Sequence, residues 1–369
     1  MKKNNSQNNF ASLYIHVPFC ESKCFYCDFY SRTGNENDFK IWLNDLKIQA
    51  EKLDVKSKYK LDTIYIGGGT PSILSCEIWV ELFKFINNYF DTSGVQEFSI
   101  EANPNSLNQN LISLWKNNNV TRVSLGVQSL NDSELKILGR LHNSKRALEA
   151  MSLIKDADLN LNADLIFAIP TQNMRSWANS LKQVINAGAN HISTYQLTLK
   201  PNSKLLREFN LTNEILNNKG YYFYRYAQYY LPRKSFNQYE ISNFALKNYE
   251  CRHNLAYWTQ KNIIALGKSA AGFLDNTRYK ISTDGDNKII YEQKLSGHDL
   301  AIENAILNLR TSYGIDKANF IKTFGENIFN EIEAKLKNFP DGLILNTPEK
   351  ISLTPKGMRL GNSIWCELI

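Results

Sequence analysis

No stretch of this 369-residue sequence approaches the roughly 18 uninterrupted apolar residues that a membrane-spanning helix needs, so no transmembrane segment is expected. The first residues, Met-Lys-Lys-Asn-Asn-Ser-Gln-Asn-Asn, are basic and polar without the apolar centre of a secretory signal, and residues 1–10 read as a flexible tail. Cysteine is scarce, six in all, and this scarcity with the missing signal argues for reduced thiols in the cytoplasm and against a disulfide framework. Charge of one sign is also lacking. The 43 basic residues are interspersed with 36 acidic ones for a net +7, and no basic recognition helix stands out, so nucleic acid is not expected as a partner. The mild positive field does suit an anionic ligand. The glycine run at 67–69 lacks the Gly-Lys-Ser/Thr ending of a phosphate loop, which excludes that reading.

What is present is a regular alternation. With 43% hydrophobic residues the chain can bury one large core and a smaller one. Strand-like runs at 12–17, 62–66, 97–101, 121–125, 160–167 and 190–197 are separated by helical periodicity, as in Phe39, Trp42, Leu46, Ala50 and Leu53. Six strands separated by helices predict a parallel sheet with right-handed crossovers, two repeats short of a closed eight-stranded barrel. The expected fold is α/β, an open (β/α)6 partial TIM barrel over 11–235. Residues 236–299 are expected as a connecting segment, and 300–369, helices followed by a hairpin, as a small α+β, winged-helix-like domain.

In such a sheet functional residues gather beyond the C-terminal ends of the strands, and the sequence punctuates those places. The first strand is followed by Cys20, Cys24 and Cys27, the second by Gly67-Gly68-Gly69-Thr70-Pro71-Ser72, the third by Glu101-Ala102-Asn103-Pro104 and the fourth by Gly126-Val127-Gln128-Ser129. The fifth carries Asp164. Cys-x3-Cys-x2-Cys brings three thiolates onto one loop with no fourth cysteine nearby, so one iron of a four-iron cluster would lack a protein ligand and stay open to a small molecule. Tetrahedral zinc is the metal alternative, with His16 as the fourth donor.

The cysteine spacing resembles the signature of radical S-adenosylmethionine (SAM) proteins. The resemblance implies a [4Fe–4S] cluster on Cys20, Cys24 and Cys27 whose open iron is chelated by the amino and carboxylate groups of SAM, and an electron from the cluster that splits SAM into methionine and a 5′-deoxyadenosyl radical. It also implies an electron donor such as flavodoxin or ferredoxin. By the same match Gly68, Gly69 and Thr70 form the loop whose backbone holds the methionine amino group, and Glu101, Gln128, Arg140 and Asp164 form the next layer, with Tyr14 and Tyr26 beside the cluster. An acid near an amine or ribose hydroxyls and an arginine facing a carboxylate make charge-assisted bonds. Tyr26 is expected to stack near adenine.

The resemblance narrows further. Tyr-Ile-His-Val-Pro-Phe-Cys, Gly-Gly-Gly-Thr-Pro-Ser, Glu-Ala-Asn-Pro, Gly-Val-Gln-Ser, Leu-Gly-Arg-Leu-His and Asp-Leu-Ile-Phe-Ala-Ile-Pro occur in order, as in the family of oxygen-independent coproporphyrinogen III oxidases and their heme-chaperone relatives. The oxidases carry a further cysteine two residues past the third, where this chain has Phe29, and a longer N-terminal region than the nineteen residues before Cys20. Arg252-His253-Asn254-Leu255-Ala256-Tyr257-Trp258 matches the His-Asn-x-x-Tyr-Trp motif of the chaperones. The resemblance therefore implies a heme chaperone that hands heme to an acceptor protein, with the oxidative decarboxylase as the alternative; it leaves room for peripheral membrane contact. For heme, the expected residues are His253 as axial ligand, Tyr257 and Trp258 packing the macrocycle, and Arg252 pairing with a propionate, with Cys251 as an alternative ligand. Relatives carry Gly-x-Gly-Ala-His-Gly after the motif; here Ala271 replaces the histidine.

Overall fold

The computed structural model describes residues 10–56, 58–199, 204–209 and 212–369. The expected tail lies outside these residues except for residue 10. Six parallel strands follow one another in space as in sequence: β1 (Phe10–Val17), β2 (Lys60–Gly68), β3 (Glu97–Ala102), β4 (Arg122–Gln128), β5 (Asn160–Phe167) and β6 (His191–Gln196). The sheet does not stop there. Residues 236–299, expected only to connect, add β7 (Asn237–Gln238) and β8 (Asn243–Ala245) antiparallel beyond β6. On the other edge they add β9 (Ile263–Leu266), parallel to β1, then β10 (Ala271–Leu274), β11 (Thr277–Ile281) and β12 (Ile289–Lys294), to make twelve strands.

The helices form where the sequence supplies both a cap and an apolar stripe. Asn35 caps Glu36–Lys52 in a capping box with Asp38, and Phe39, Trp42, Leu43, Leu46 and Ala50, spaced three and four apart, bury one face. Along each barrel strand the side chains alternate with period two. One set, including Leu13, Ile15, Ile64, Ile66, Phe98, Ile100, Val123, Leu125, Leu161 and Ala163, packs outward against the helices in the main core. The other set faces the barrel interior and is polar: Ser12, Tyr14 and His16 on β1, Thr63 and Tyr65 on β2, Glu97, Ser99 and Glu101 on β3, Arg122 and Ser124 on β4, Asn162 and Asp164 on β5, His191, Ser193 and Tyr195 on β6. A closed TIM barrel fills its centre with branched apolar layers. Here the centre is lined by polar and charged side chains.

Beyond the sheet, residues 297–369 pack around their own core of Leu309, Ile315, Phe320, Phe329, Ile332, Ile351 and Trp365, among others. They run as a helix (Gly297–Leu309), β13 (Ile315–Asp316), two helices (Lys317–Phe324 and Glu326–Lys337) and a hairpin of β14 (Ile344–Asn346) and β15 (Lys350–Leu353), with β15 at the centre of a three-stranded antiparallel sheet. Among the described residues, no helix is long and apolar enough to cross a membrane.

Candidate functional site

The cysteine loop is fastened at its base. Arg32 N–H donates to Pro18 O and Cys20 N–H to Arg32 O, both at 2.9 Å, so the chain leaves β1 and returns to nearly the same point. At its far side Phe25 N–H donates to Leu138 O at 3.1 Å. His16 ties the loop to the strand: its Nδ1 accepts from Tyr14 Oη at 3.0 Å and its Nε2 bonds the Tyr30 carbonyl at 2.9 Å. Both imidazole nitrogens are thus engaged, which removes His16 as a fourth zinc donor. Among the described residues, no three His, Cys, Asp or Glu side chains are gathered closely enough for one metal ion. Three cysteines around one cavity, each free to take its own metal atom, fit a cluster better than a single ion.

That cavity, of about 380 Å³, falls within the size range of small-molecule pockets. Cys20, Cys24, Cys27, Tyr26, Gly68, Gly69, Thr70, Glu101, Gln128, Arg140 and Asp164 all line it. Tyr14, expected beside them, stands one layer deeper. The glycine loop explains itself. A Cβ on Gly69 would stand 2.5 Å from Phe19 O, and Gly68 has φ +109° with the His16 ring against it. Gly68 N–H donates to Glu101 Oε2 at 2.9 Å, while Gly69 N–H and Thr70 N–H donate at 2.7 Å to Val17 O and Phe19 O. With these amides engaged, the backbone group of this loop that would suit a ligand's ammonium is a carbonyl oxygen. β4 is irregular between Leu125 and Gln128, and Gln128 takes φ +63° at the cavity wall.

Arg140 reaches the thiols themselves, with Nη1 at 3.5 Å from Cys24 Sγ and Nη2 donating to Gly126 O at 2.9 Å. Its buried Nε has no partner within the protein. Thr70 Oγ1 lies 3.5 Å from Cys20 Sγ. Glu101 accepts from Tyr65 Oη at 2.8 Å, and its carboxyl is pushed up to about 7 by burial and by the field of Asp164, against the two bonds that favour its charge. Asp164, raised by burial, accepts from Ser124 Oγ at 2.9 Å and Asn162 Nδ2 at 2.8 Å. Glu101 is therefore poised to exchange its proton near neutral pH, beside a second buried acid, Asp164, whose carboxyl is also raised. Phe29 and Leu141, exposed by 66% and 59%, form an apolar rim at the mouth.

The helix Arg252–Trp258 lies at the opposite end of the barrel. The Glu97 carboxylate, at the start of β3, accepts from Arg252 N–H and His253 N–H, both at 3.1 Å, and from Arg122 Nε at 3.2 Å at the start of β4. The helix thus closes the floor below the interior, where Cys251, His253, Asn254 and Tyr257 line a second cavity of about 210 Å³. This cavity shares Tyr65, Glu101, Ser124 and Tyr195 with the first. His253 is 1% exposed. Thr63 Oγ1 donates to Ser12 Oγ, so His253 Nδ1–H donates to Thr63 Oγ1 at 2.8 Å and Nε2 keeps a lone pair, without a partner in the protein. Burial lowers the imidazole to about 4, against the field of Glu97, and it is neutral.

The four residues expected to hold heme are not brought onto one face. His253 and Tyr257 face the inner cavity, Arg252 is exposed, and Trp258 stacks on Arg310, which also stands 4.2 Å from the Trp365 ring centroid of the C-terminal module. The inner cavity is smaller than the roughly 300 Å³ at the low end for drug-sized ligands and does not enclose a macrocycle. Cys251 is buried with its thiol raised by burial and donating to Glu97, which fits a structural role. Tyr65 and Tyr195 escaped the sequence reading; Tyr65 shares an inward face with Thr63 two residues away, the signal that would have found it.

A partial barrel with three thiols, a glycine loop and charged strand exits at one mouth defines a radical SAM protein, and a model of the Radical SAM superfamily matches residues 14–184. Proteins of this superfamily use a [4Fe–4S] cluster and SAM. The chain is 31% identical over 373 residues to the heme chaperone HemW of Lactococcus lactis subsp. lactis (strain IL1403), covering 96% of both proteins, and 30% identical over 371 residues to HemW of Bacillus subtilis (strain 168), covering 96% and 98%. It belongs to the HemW family within the oxygen-independent coproporphyrinogen III oxidase-like radical SAM proteins. The solved structure of coproporphyrinogen III oxidase HemN from Escherichia coli superposes with a TM-score of 0.85 over 98% of this chain and 90% of that one, at 18% identity, which establishes a shared fold.

Proposed function

We propose that this chain is a cytoplasmic heme chaperone that carries a SAM-ligated [4Fe–4S] cluster and passes heme to an acceptor protein. The observation that carries the reading is the end-to-end similarity to proteins named as heme chaperones. Cys20, Cys24 and Cys27 would hold the cluster, and the Gly68 and Gly69 carbonyls, Thr70, Glu101, Gln128, Arg140 and Asp164 would receive SAM, with Tyr26 beside its base. When bound, the cluster supplies one-electron chemistry to the sulfonium, from a donor such as flavodoxin or ferredoxin. The protein's own contribution is a mouth in which Arg140 balances thiolate charge and Glu101 and Asp164 hold or release a proton.

Phe29, where the oxidases carry a further cysteine, supports the chaperone over the decarboxylase. The discriminating experiment has two arms on the reconstituted protein. Titrated heme is expected to give a saturable Soret band, and incubation with coproporphyrinogen III, SAM and a reductant is expected to give no protoporphyrinogen. Appreciable product would overturn the chaperone reading in favour of oxidative decarboxylation.

A further inference from the structure

We infer that His253, at the floor of the barrel, is a positioning residue for the SAM site, acting through Tyr65 on Glu101. The inference rests on the SAM pocket and is independent of where heme binds.

The argument starts from strand geometry. Thr63 and Tyr65, two apart on β2, point to the same inward face. His253 lies along that face: Nδ1 is anchored on Thr63 Oγ1 at 2.8 Å, and the ring stacks on Tyr65 with centroids 5.0 Å apart and planes 25° from parallel. Tyr14 packs against both rings, 6.2 Å from Tyr65 at 27° and 6.4 Å from His253 at 33°, so the three rings brace one another in a triangle. Braced by these two rings, Tyr65 sets its hydroxyl 2.8 Å from Glu101 Oε1, while Gly68 N–H takes Oε2 at 2.9 Å. Both carboxylate oxygens are therefore fixed, one through the glycine loop at the mouth and one through a ring that rests on the floor. Tyr257, edge-on to His253 at 5.4 Å, and the Glu97 carboxylate on the helix amides keep the imidazole in place. A carboxyl at the wall of the ligand cavity is thus oriented by a residue that cannot reach that cavity itself.

The function of the ring is to fill space beside Tyr65, so a flat apolar ring should replace it and a methyl group should not. Groups that orient metal-ligating side chains typically change affinity about 10–100-fold when removed, and a group that orients a carboxylate in a ligand cavity is expected to act at the low end of that range. His253→Ala is expected to weaken SAM binding to the reconstituted protein on the order of 10-fold by isothermal titration, and His253→Phe to stay within about threefold of wild type. The SAM-induced change in the electron paramagnetic resonance (EPR) spectrum of the reduced cluster should diminish in the alanine variant and return with phenylalanine, at equal iron content in both. Tyr65→Phe, which leaves the stack and removes the bond to Glu101, should weaken SAM like His253→Ala and reports the same link if alanine unsettles the floor. Unchanged SAM affinity in His253→Ala with loss of the Soret band would overturn the inference and make His253 a heme ligand. Failure of the wild type to bind SAM would remove the pocket itself and this role with it.

Discussion

Cys24→Ser is expected to leave the chain folded and to abolish the cluster, with iron and acid-labile sulfide falling from about four of each per chain to a residue, and SAM binding lost with them. The loop's conformation does not depend on the thiol. Its base is closed by the Phe19–Arg32 bridge and its far side by the Phe25–Leu138 bond, all through main chain. Cys24 is only partly buried, and its Sγ lies 3.5 Å from Arg140 Nη1. A serine there keeps the backbone but offers a hydroxyl that does not ionise near neutral pH, so one corner of the cluster goes unheld. Iron and sulfide assays with a thermal melt check this, and wild-type iron content in the variant would mean that another residue holds that corner.

Glu97→Ala carries the second large effect, on stability. Glu97 and Arg122 are buried with side chains 5% and 3% exposed, and removing one partner of such a pair typically costs about 3–5 kcal/mol because the other charge stays behind. Arg122 would keep only the Tyr249 and Glu250 carbonyls, and the amides that open the floor helix would lose their acceptor. The pH dependence follows the same carboxylate. Burial alone would raise its pKa, but Arg122 and the His253 and Arg252 amides outweigh it and hold Glu97 below the usual range. A depressed native pKa contributes stability above the unfolded value, near pH ~4.3, that is lost as pH falls through the native one. Denaturant melts at several pH values should show the wild type losing this increment on acidification and Glu97→Ala lacking it. Equal melting of the two at neutral pH would contradict the account.

The barrel was legible because six runs alternate with helices, and in each run the apolar residues that cover the helices recur with period two. The run expected at 62–66 is the centre of β2, Lys60–Gly68. The outer strands were not legible. β7 to β10 are two to four residues long, too short to show periodicity, and β11 and β12 lie beyond β10 on the outer edge of the sheet. The mouth could be read because its residues are cysteine, glycine or charged and polar side chains at or near strand ends, whereas Tyr65 and Tyr195 are aromatic residues within strands and look like core. The motif helix shows a further limit. At 100° per residue, His253 and Tyr257 share a face that Arg252 and Trp258 do not, and the packing of the helix on the floor turns that face inward.

Anaerobically reconstituted wild-type protein, reduced and examined by EPR spectroscopy with and without SAM, tests the central claim most directly. The account predicts a [4Fe–4S] signal that shifts when SAM binds the iron left without a cysteine. A protein that takes up neither iron nor sulfide, or a cluster signal that SAM leaves unmoved, would contradict it.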